Sequence, residues 1–217
     1  MSRYKLVLFD MDGTLLKGRG IFVIAEKLGF YDDLIRFIKD DALEFYERSI
    51  EIGKLMKGFS VDEMLKIFRA IPLQDHVETV VSTLKKKGVK TGIATDSYVF
   101  LADDLRRRLD MDFVFGNNLI TNDDVVTGKL EINNKSLTKD FISGNVYSIS
   151  KSCVLEELCK HLRISLDETI AVGDGKVDAG MIKKAGLGIA FNASDEVNKH
   201  ADIVTNDLRV ILEYIDL

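Results

Sequence analysis

Proline is almost missing from this 217-residue chain, and the single one, Pro72, marks a boundary or hinge between two differently patterned stretches. Cysteine is nearly as scarce. Cys153 and Cys159 stand six apart in one helical-looking segment, a spacing that fits neither a zinc pair nor a redox CxxC, so two reduced, partly buried thiols are expected. The three histidines, His76, His161 and His200, are scattered, and no helix brings two of them together. No apolar run approaches membrane-spanning length and the N-terminus lacks a signal-peptide pattern, which argues for a cytoplasmic protein without a membrane partner. A basic excess is also lacking. The formal charge is −5, which speaks against nucleic acid as the main partner.

What is present describes an ordinary globule. Apolar residues make up 46% and charged residues 30% of the chain, enough to bury a real core, and the length suits one domain with an insertion. "YKLVLF" (4–9) reads as a strand buried on both faces, as in a parallel sheet. From about Gly20 to Ile71 the apolar spacing is helical throughout, punctuated by Gly29, Gly53 and Gly58, with Ser60 and Glu63 forming a capping box. After Pro72 helices and strands alternate: a helix over 75–87 stopped by Gly88, strand 89–94, a helix from Tyr98, a short strand 113–116, a hairpin turning at Asn122-Asp123-Asp124, a helix from Lys151, then "TIAVGD", "GIAF" and "DIVT" with helices between and after. The pattern predicts a doubly wound parallel α/β sheet, with a core of residues 1–17 and 75–217 and a helical cap of residues 18–74 inserted after the first strand.

Ligands of open parallel sheets bind at the carboxyl ends of the strands. The first strand runs into Asp10-Met11-Asp12-Gly13-Thr14, the second into Thr95-Asp96-Ser97, and a later one into Gly173-Asp174-Gly175-Lys176-Val177-Asp178, while Lys151 starts the helix between the second and third of these. Two carboxylates straight after a buried strand repel one another and are costly to desolvate. Acids, a hydroxyl and an amine converging on one rim from four distant segments supply a reason to keep them.

"DMDGT", "IAT", Lys151 and "GDGKVD" resemble, in order, the four motifs of the haloacid dehalogenase-like superfamily, and the helical insertion with "DETIAVGD" through "MIKKAGLGIAF" resembles its phosphoserine phosphatase branch. The resemblance implies a Rossmann-like core and a phosphatase reaction. It casts Asp10 as the nucleophile that forms an aspartyl phosphate, and Asp12 as the acid and base. It implies Mg²⁺ held by Asp10, the backbone carbonyl of Asp12 and Asp174, with Asp178 in support. Thr95 and Lys151 would bind the phosphoryl group together with backbone N–H groups from Asp96 onward, the Asp96 side chain being read as a helix cap.

Departures from the branch bear on the substrate, expected to be a small phosphorylated metabolite. Arg19 stands where an acid usually receives the substrate ammonium, which favours a second carboxylate or phosphate there. Val177 replaces an asparagine, and "TDS" replaces Ser-Gly-Gly. Arg48 or Arg36 is the candidate cap arginine for a substrate carboxylate. The alternatives are a phosphomutase using the same aspartyl phosphate, a phospho-receiver domain, and a non-catalytic phosphate-binding regulator. The chain is expected to act as a monomer or homodimer.

Overall fold

The computed structural model describes residues 3–215, so the outermost residues of the expected core, 1–2 and 216–217, lie outside the described residues. Seven strands form one sheet: β1 (Leu6–Phe9), β2 (Lys90–Tyr98), β3 (Phe113–Asn122), β4 (Val125–Glu131), β5 (Thr169–Gly173), β6 (Leu187–Phe191) and β7 (Ile203–Thr205). Their order across the sheet is β4-β3-β2-β1-β5-β6-β7, every pairing parallel except the β3–β4 hairpin. The first strand of the sequence thus lies at the centre, flanked by β2 and β5, and the order reverses there, which is where such sheets bind ligands.

The pleat of β1 explains the two covering layers. Val7 and Phe9 face a cluster that contains α5 (Val77–Lys86) and α6 (Val99–Leu109), while Leu6 and Leu8 face one built on α7 (Lys151–Leu162) and α8 (Ala179–Lys184). All four residues are fully buried, which is why the strand carries no polar residue until Asp10.

The helical insertion comprises α1 (Gly20–Leu28), α2 (Tyr31–Ile38), α3 (Phe45–Leu55) and α4 (Val61–Arg69). The long periodic stretch after Tyr31 is divided at 39–44, where the Arg48 guanidinium donates to the carbonyls of Ile38 (2.9 Å) and Leu43 (3.1 Å) and so ties the bend. Ser60 caps α4 by accepting from the Glu63 N–H at 3.3 Å. The insertion is joined to the sheet by two short antiparallel segments. Lys17 N–H donates to Pro72 O at 2.8 Å and Gln74 N–H to Leu15 O at 2.8 Å, so the proline sits in a paired two-segment stalk. Its buried residues, among them Ile24, Leu34, Met64 and Phe68, join the same apolar cluster as Val7 and Phe9. The expected strand 113–116 and hairpin are one longer strand, β3, whose first half pairs with β2 and whose second half pairs with β4. Asp123 and Asp124 both take positive φ at the turn, as a two-residue hairpin requires.

Candidate active site

Register alone brings the motif residues together. Phe9 lies opposite both Ile93 and Val172, so the chain leaves β1 at Asp10 beside the ends of β2 and β5, and the Asp10 N–H donates to Val172 O at 2.9 Å. The Asp10 residue is 3% exposed. Lys151, the first residue of α7, has a wholly buried side chain whose Nζ donates to Asp10 Oδ1 and Asp178 Oδ1, each at 2.5 Å. Asp178 is also fully buried and ends the 3-10 turn 176–178. Its Oδ2 accepts from the N–H groups of Gly175 (2.9 Å) and Asp174 (3.2 Å), which folds the loop after β5 back on itself.

Glycines make room for these carboxylates. Gly13 has φ +91°, and a Cβ there would lie 2.4 Å from Asp174 Oδ2; at Gly173 a Cβ would meet the Asp178 side chain at 2.5 Å. Among the described residues, Asp10, Asp174 and Asp178 offer oxygens all within 4.8 Å of one another, the one such acidic group. A hard-oxygen set of this kind suits a hard divalent cation. The Asp12 carboxylate does not join it. Its Oδ1 accepts from the Gly20 N–H at 2.5 Å, and in the expected set the ligand from this residue is its backbone carbonyl.

The electrostatics follow from burial and crowding. Burial raises Asp10 well above the usual carboxylate range; Lys151 opposes this, and Asp178, Asp174 and Asp96 add to it. Asp174 is raised by burial and by Asp178. Asp12 is pushed up to about 7, mainly by burial, against the lowering effect of the Gly20 N–H. Burial would lower the Lys151 amine, but Asp10 and Asp178 outweigh it and its pKa is raised, so the ammonium stays charged.

Above this cluster is a cavity of about 380 Å³ between sheet and cap, a size typical of ligand sites. Asp10, Asp12, Asp174 and Asp178 open into it from the sheet side; Phe22, Phe45 and Ile52 line it from the cap, and Tyr147 comes from the loop before α7. Lys151 and Thr95 do not line it. Thr95 is fully buried, and its Oγ1 accepts from the Ser97 N–H at 3.1 Å. Arg19 lines the cavity and its guanidinium makes no hydrogen bond or ion pair. Arg48 lines it too, but three of its N–H groups are engaged, with the carbonyls already named and with Asp41 at 3.2 Å. Arg36 pairs with Asp33 at an exposed position and is not at the cavity.

Asp96 is not a helix cap. β2 continues through Tyr98 and α6 begins at Val99, so Asp96 lies within the strand, its side chain exposed and lining the cavity. The absence of Gly, Pro or Asn between Thr95 and Tyr98 was the available signal that the strand runs on. It places Ser97, already expected at this strand end, and Tyr98, which was not, at the cavity as well. Asn117 of β3, also unexpected, is fully buried and donates to Asp96 O (2.6 Å) and Ser148 Oγ (2.9 Å). A lone strand asparagine carries no sequence signal for that.

Residues 4–186 match the haloacid dehalogenase-like hydrolase family. The chain belongs to that family. It is similar along its length to phosphoserine phosphatases: 31% identical to that of Methanocaldococcus jannaschii over 99% of both chains, and 33% identical to that of Archaeoglobus fulgidus over 91% of this chain but 55% of that protein. Among solved structures it is similar to a substrate-bound phosphoserine phosphatase complex, with a TM-score of 0.82 and 30% identity over 98% of each chain. A phospho-aspartyl intermediate analogue of phosphoserine phosphatase gives a TM-score of 0.81 at 30% identity, covering 98% of this chain and 99% of that one. This haloacid dehalogenase-like chain is accordingly a phosphatase of the phosphoserine phosphatase-like branch. No helix among the described residues is long and apolar enough to cross a membrane.

Proposed function

We propose that the chain hydrolyses the phosphomonoester of a small, phosphoserine-like metabolite through an aspartyl phosphate on Asp10. The observation that carries the reading is the buried Asp10–Lys151–Asp178 triad beneath a cavity into which Asp12 and Asp174 also open. The oxygens of Asp10, Asp174 and Asp178, with the Asp12 carbonyl, would hold Mg²⁺, which when bound offsets the negative charge of carboxylates and phosphate.

Asp10 attacks phosphorus and the ester P–O bond breaks. Asp12, whose pKa of about 7 leaves it partly protonated at neutral pH, gives its proton to the departing oxygen. The deprotonated Asp12 then takes a proton from the water that attacks the aspartyl phosphate, the acyl phosphate P–O bond breaks, and Asp10 is regenerated. The Lys151 ammonium, which donates to Asp10 from behind the cavity floor, offsets the charge that develops as Asp10 attacks, and Thr95 supports the cavity wall by accepting the Ser97 N–H. Residues 18–74 act as the cap that excludes water and selects the substrate, with Arg19 and Arg48 on its cavity side. The formal charge of −5 supports a small-molecule substrate over nucleic acid, and the reading extends to a cytoplasmic monomer or homodimer without a membrane partner.

The test is phosphate release from an aryl phosphate and a panel of phosphorylated metabolites, with Mg²⁺ and with chelator. Turnover that needs the metal and vanishes in Asp10→Asn is expected. Turnover that persists in Asp10→Asn would overturn the reading.

A further inference from the structure

Two groups of apolar residues in the helical insertion differ in burial. Ile24, Leu34, Met64 and Phe68 are wholly buried in the main core cluster. Phe22, Ile38 and Ile52 are only half-buried and Phe45 is 37% exposed, and these four line the cavity. Tyr147, from the loop before α7, stands against them, its ring centroid 5.0 Å from that of Phe45 with the planes tilted by 50°. Both rings are held in place. The Tyr147 carbonyl accepts from the buried Asn134 amide at 3.0 Å. The Arg48 guanidinium lies 4.9 Å from the centroid of the Phe45 ring while donating to the Ile38 and Leu43 carbonyls and to Asp41, so it braces the aromatic wall. The carboxylates at the cavity all enter from the opposite, sheet side, which leaves it acidic at the floor and largely hydrocarbon at the roof. Contiguous apolar surface left open to water inside a concavity is unfavourable, and a ligand that covers it recovers that free energy.

We infer that Phe22, Phe45, Ile52 and Tyr147 form an apolar subsite for a hydrocarbon group, aliphatic or aromatic, on the alcohol part of the substrate. The inference rests on the phosphatase reading and deepens it, because it names the substrate as a phosphomonoester whose alcohol carries an apolar group. Floor and roof belong to one cavity of about 380 Å³, within the range of pockets that bury ligands larger than a phosphoryl group, so one molecule reaches both. With its phosphate over Asp10, such an ester lays its hydrocarbon against rings that are already fixed, and little side-chain entropy is lost in covering them.

The experiment compares ethyl, propyl and butyl phosphate, whose leaving alcohols are nearly equally basic, so that chain length is the variable. In the wild-type protein kcat/KM should rise about fourfold for each added methylene, about 15-fold from ethyl to butyl, the range for burying a CH₂ group. In Phe45→Ala and in Tyr147→Ala the butyl-to-ethyl ratio should fall at least threefold, while Phe45→Leu, which keeps an apolar side chain, should retain most of it. Because the ratio is taken within each protein, a smaller folded fraction cancels. A wild-type ratio of one, or a ratio that both alanine variants leave unmoved, overturns the inference even where Mg²⁺- and Asp10-dependent hydrolysis of p-nitrophenyl phosphate upholds the phosphatase. If the aryl phosphate is not hydrolysed, the phosphatase reading fails by itself, and the same ladder is read as binding of the three esters to the wild-type protein in Mg²⁺ by calorimetry. There, equal binding of all three or binding of none overturns the inference.

Discussion

Replacing Lys151 by methionine keeps the unbranched stem, shorter by one heavy atom, and removes the charge. The ammonium is wholly buried and neutralises two carboxylates, Asp10 and Asp178, that are themselves at most 5% exposed in their side chains. Taking one partner from a buried ionic group costs about 3–5 kcal/mol, because the remaining charge is left uncompensated. For a chain of this length each kcal/mol moves Tm by about 2–4 °C, so Lys151→Met should melt about 6–20 °C lower in chelator at pH 8. The deficit must also depend on pH. Asp10 is already raised in the folded wild-type protein, mainly by burial, and loses in the variant the one influence that lowers it. A carboxylate with a raised folded pKa binds its proton more tightly folded than unfolded, so stability is retained at low pH and lost as pH rises from the unfolded value towards the folded one. The gap between variant and wild type should therefore be widest at pH 8 and close towards pH 5. Thermal melts by circular dichroism at both pH values give the answer. A Tm within 2 °C of wild type at pH 8 in chelator would refute the idea that Lys151 is the charge on which this cluster depends.

Two further outcomes follow from the site. Because Asp12 titrates at about 7 and must be protonated to release a poor leaving group, kcat/KM for an alkyl phosphate should fall as pH rises through neutrality. For p-nitrophenyl phosphate, whose leaving group needs little protonation, the fall should be shallow, and Asp12→Asn should lose far more on the alkyl ester; equal losses would remove Asp12 as the acid. Gly13→Ala places a methyl group where Asp174 Oδ2 now lies, at a backbone φ of +91° that alanine resists. It should raise the Mg²⁺ concentration for half-maximal activity about 10- to 100-fold, as displaced ligand supports do, and an unchanged metal titration would show that Asp174 is not needed there.

The sheet and the motif acids were legible because each is a local signal repeated at several levels. Leu6–Phe9 are apolar on both faces because β1 is central, and the acids follow the strand ends because parallel register aligns those ends. The turn at Asp123-Asp124 was legible for a similar reason, since its residues tolerate positive φ. What was not legible depends on contacts far apart in sequence. The split between α2 and α3 is set by Arg48, a helix residue that reaches back over the bend, and no period in 31–56 reports it. Asp96 read as a cap because acids after strands commonly cap helices. Its actual place is decided by β3, which pairs with β2 as far as Tyr98 and carries Asn117 to the Asp96 carbonyl.

That same strand links the cap to the cavity wall. The tip of the β3–β4 hairpin is bonded to the connection between α3 and α4: Gly58 N–H to Val126 O at 2.8 Å, Val126 N–H to Phe59 O at 2.9 Å, and Val61 N–H to Asp124 O at 2.9 Å, with Ser60 Oγ donating to Asp124 Oδ2 at 2.7 Å. These bonds also occupy part of the edge of β4, which would otherwise be open to pairing with another chain. At about 1 kcal/mol net for each backbone bond, a cap that swung open alone would give up about 3 kcal/mol. One that carried the hairpin with it would keep all three and bend β3 instead, where the register with β4 already shifts between Leu119 and Thr121. Asn117 lies on the sheet side of that shift, so the wall formed by Asp96 and Ser97 stays with the sheet. Phe22 and Phe45 reach the cavity from the insertion, so a swing of those helices would widen it from one side while Asp96 and Ser97 stayed on the sheet wall.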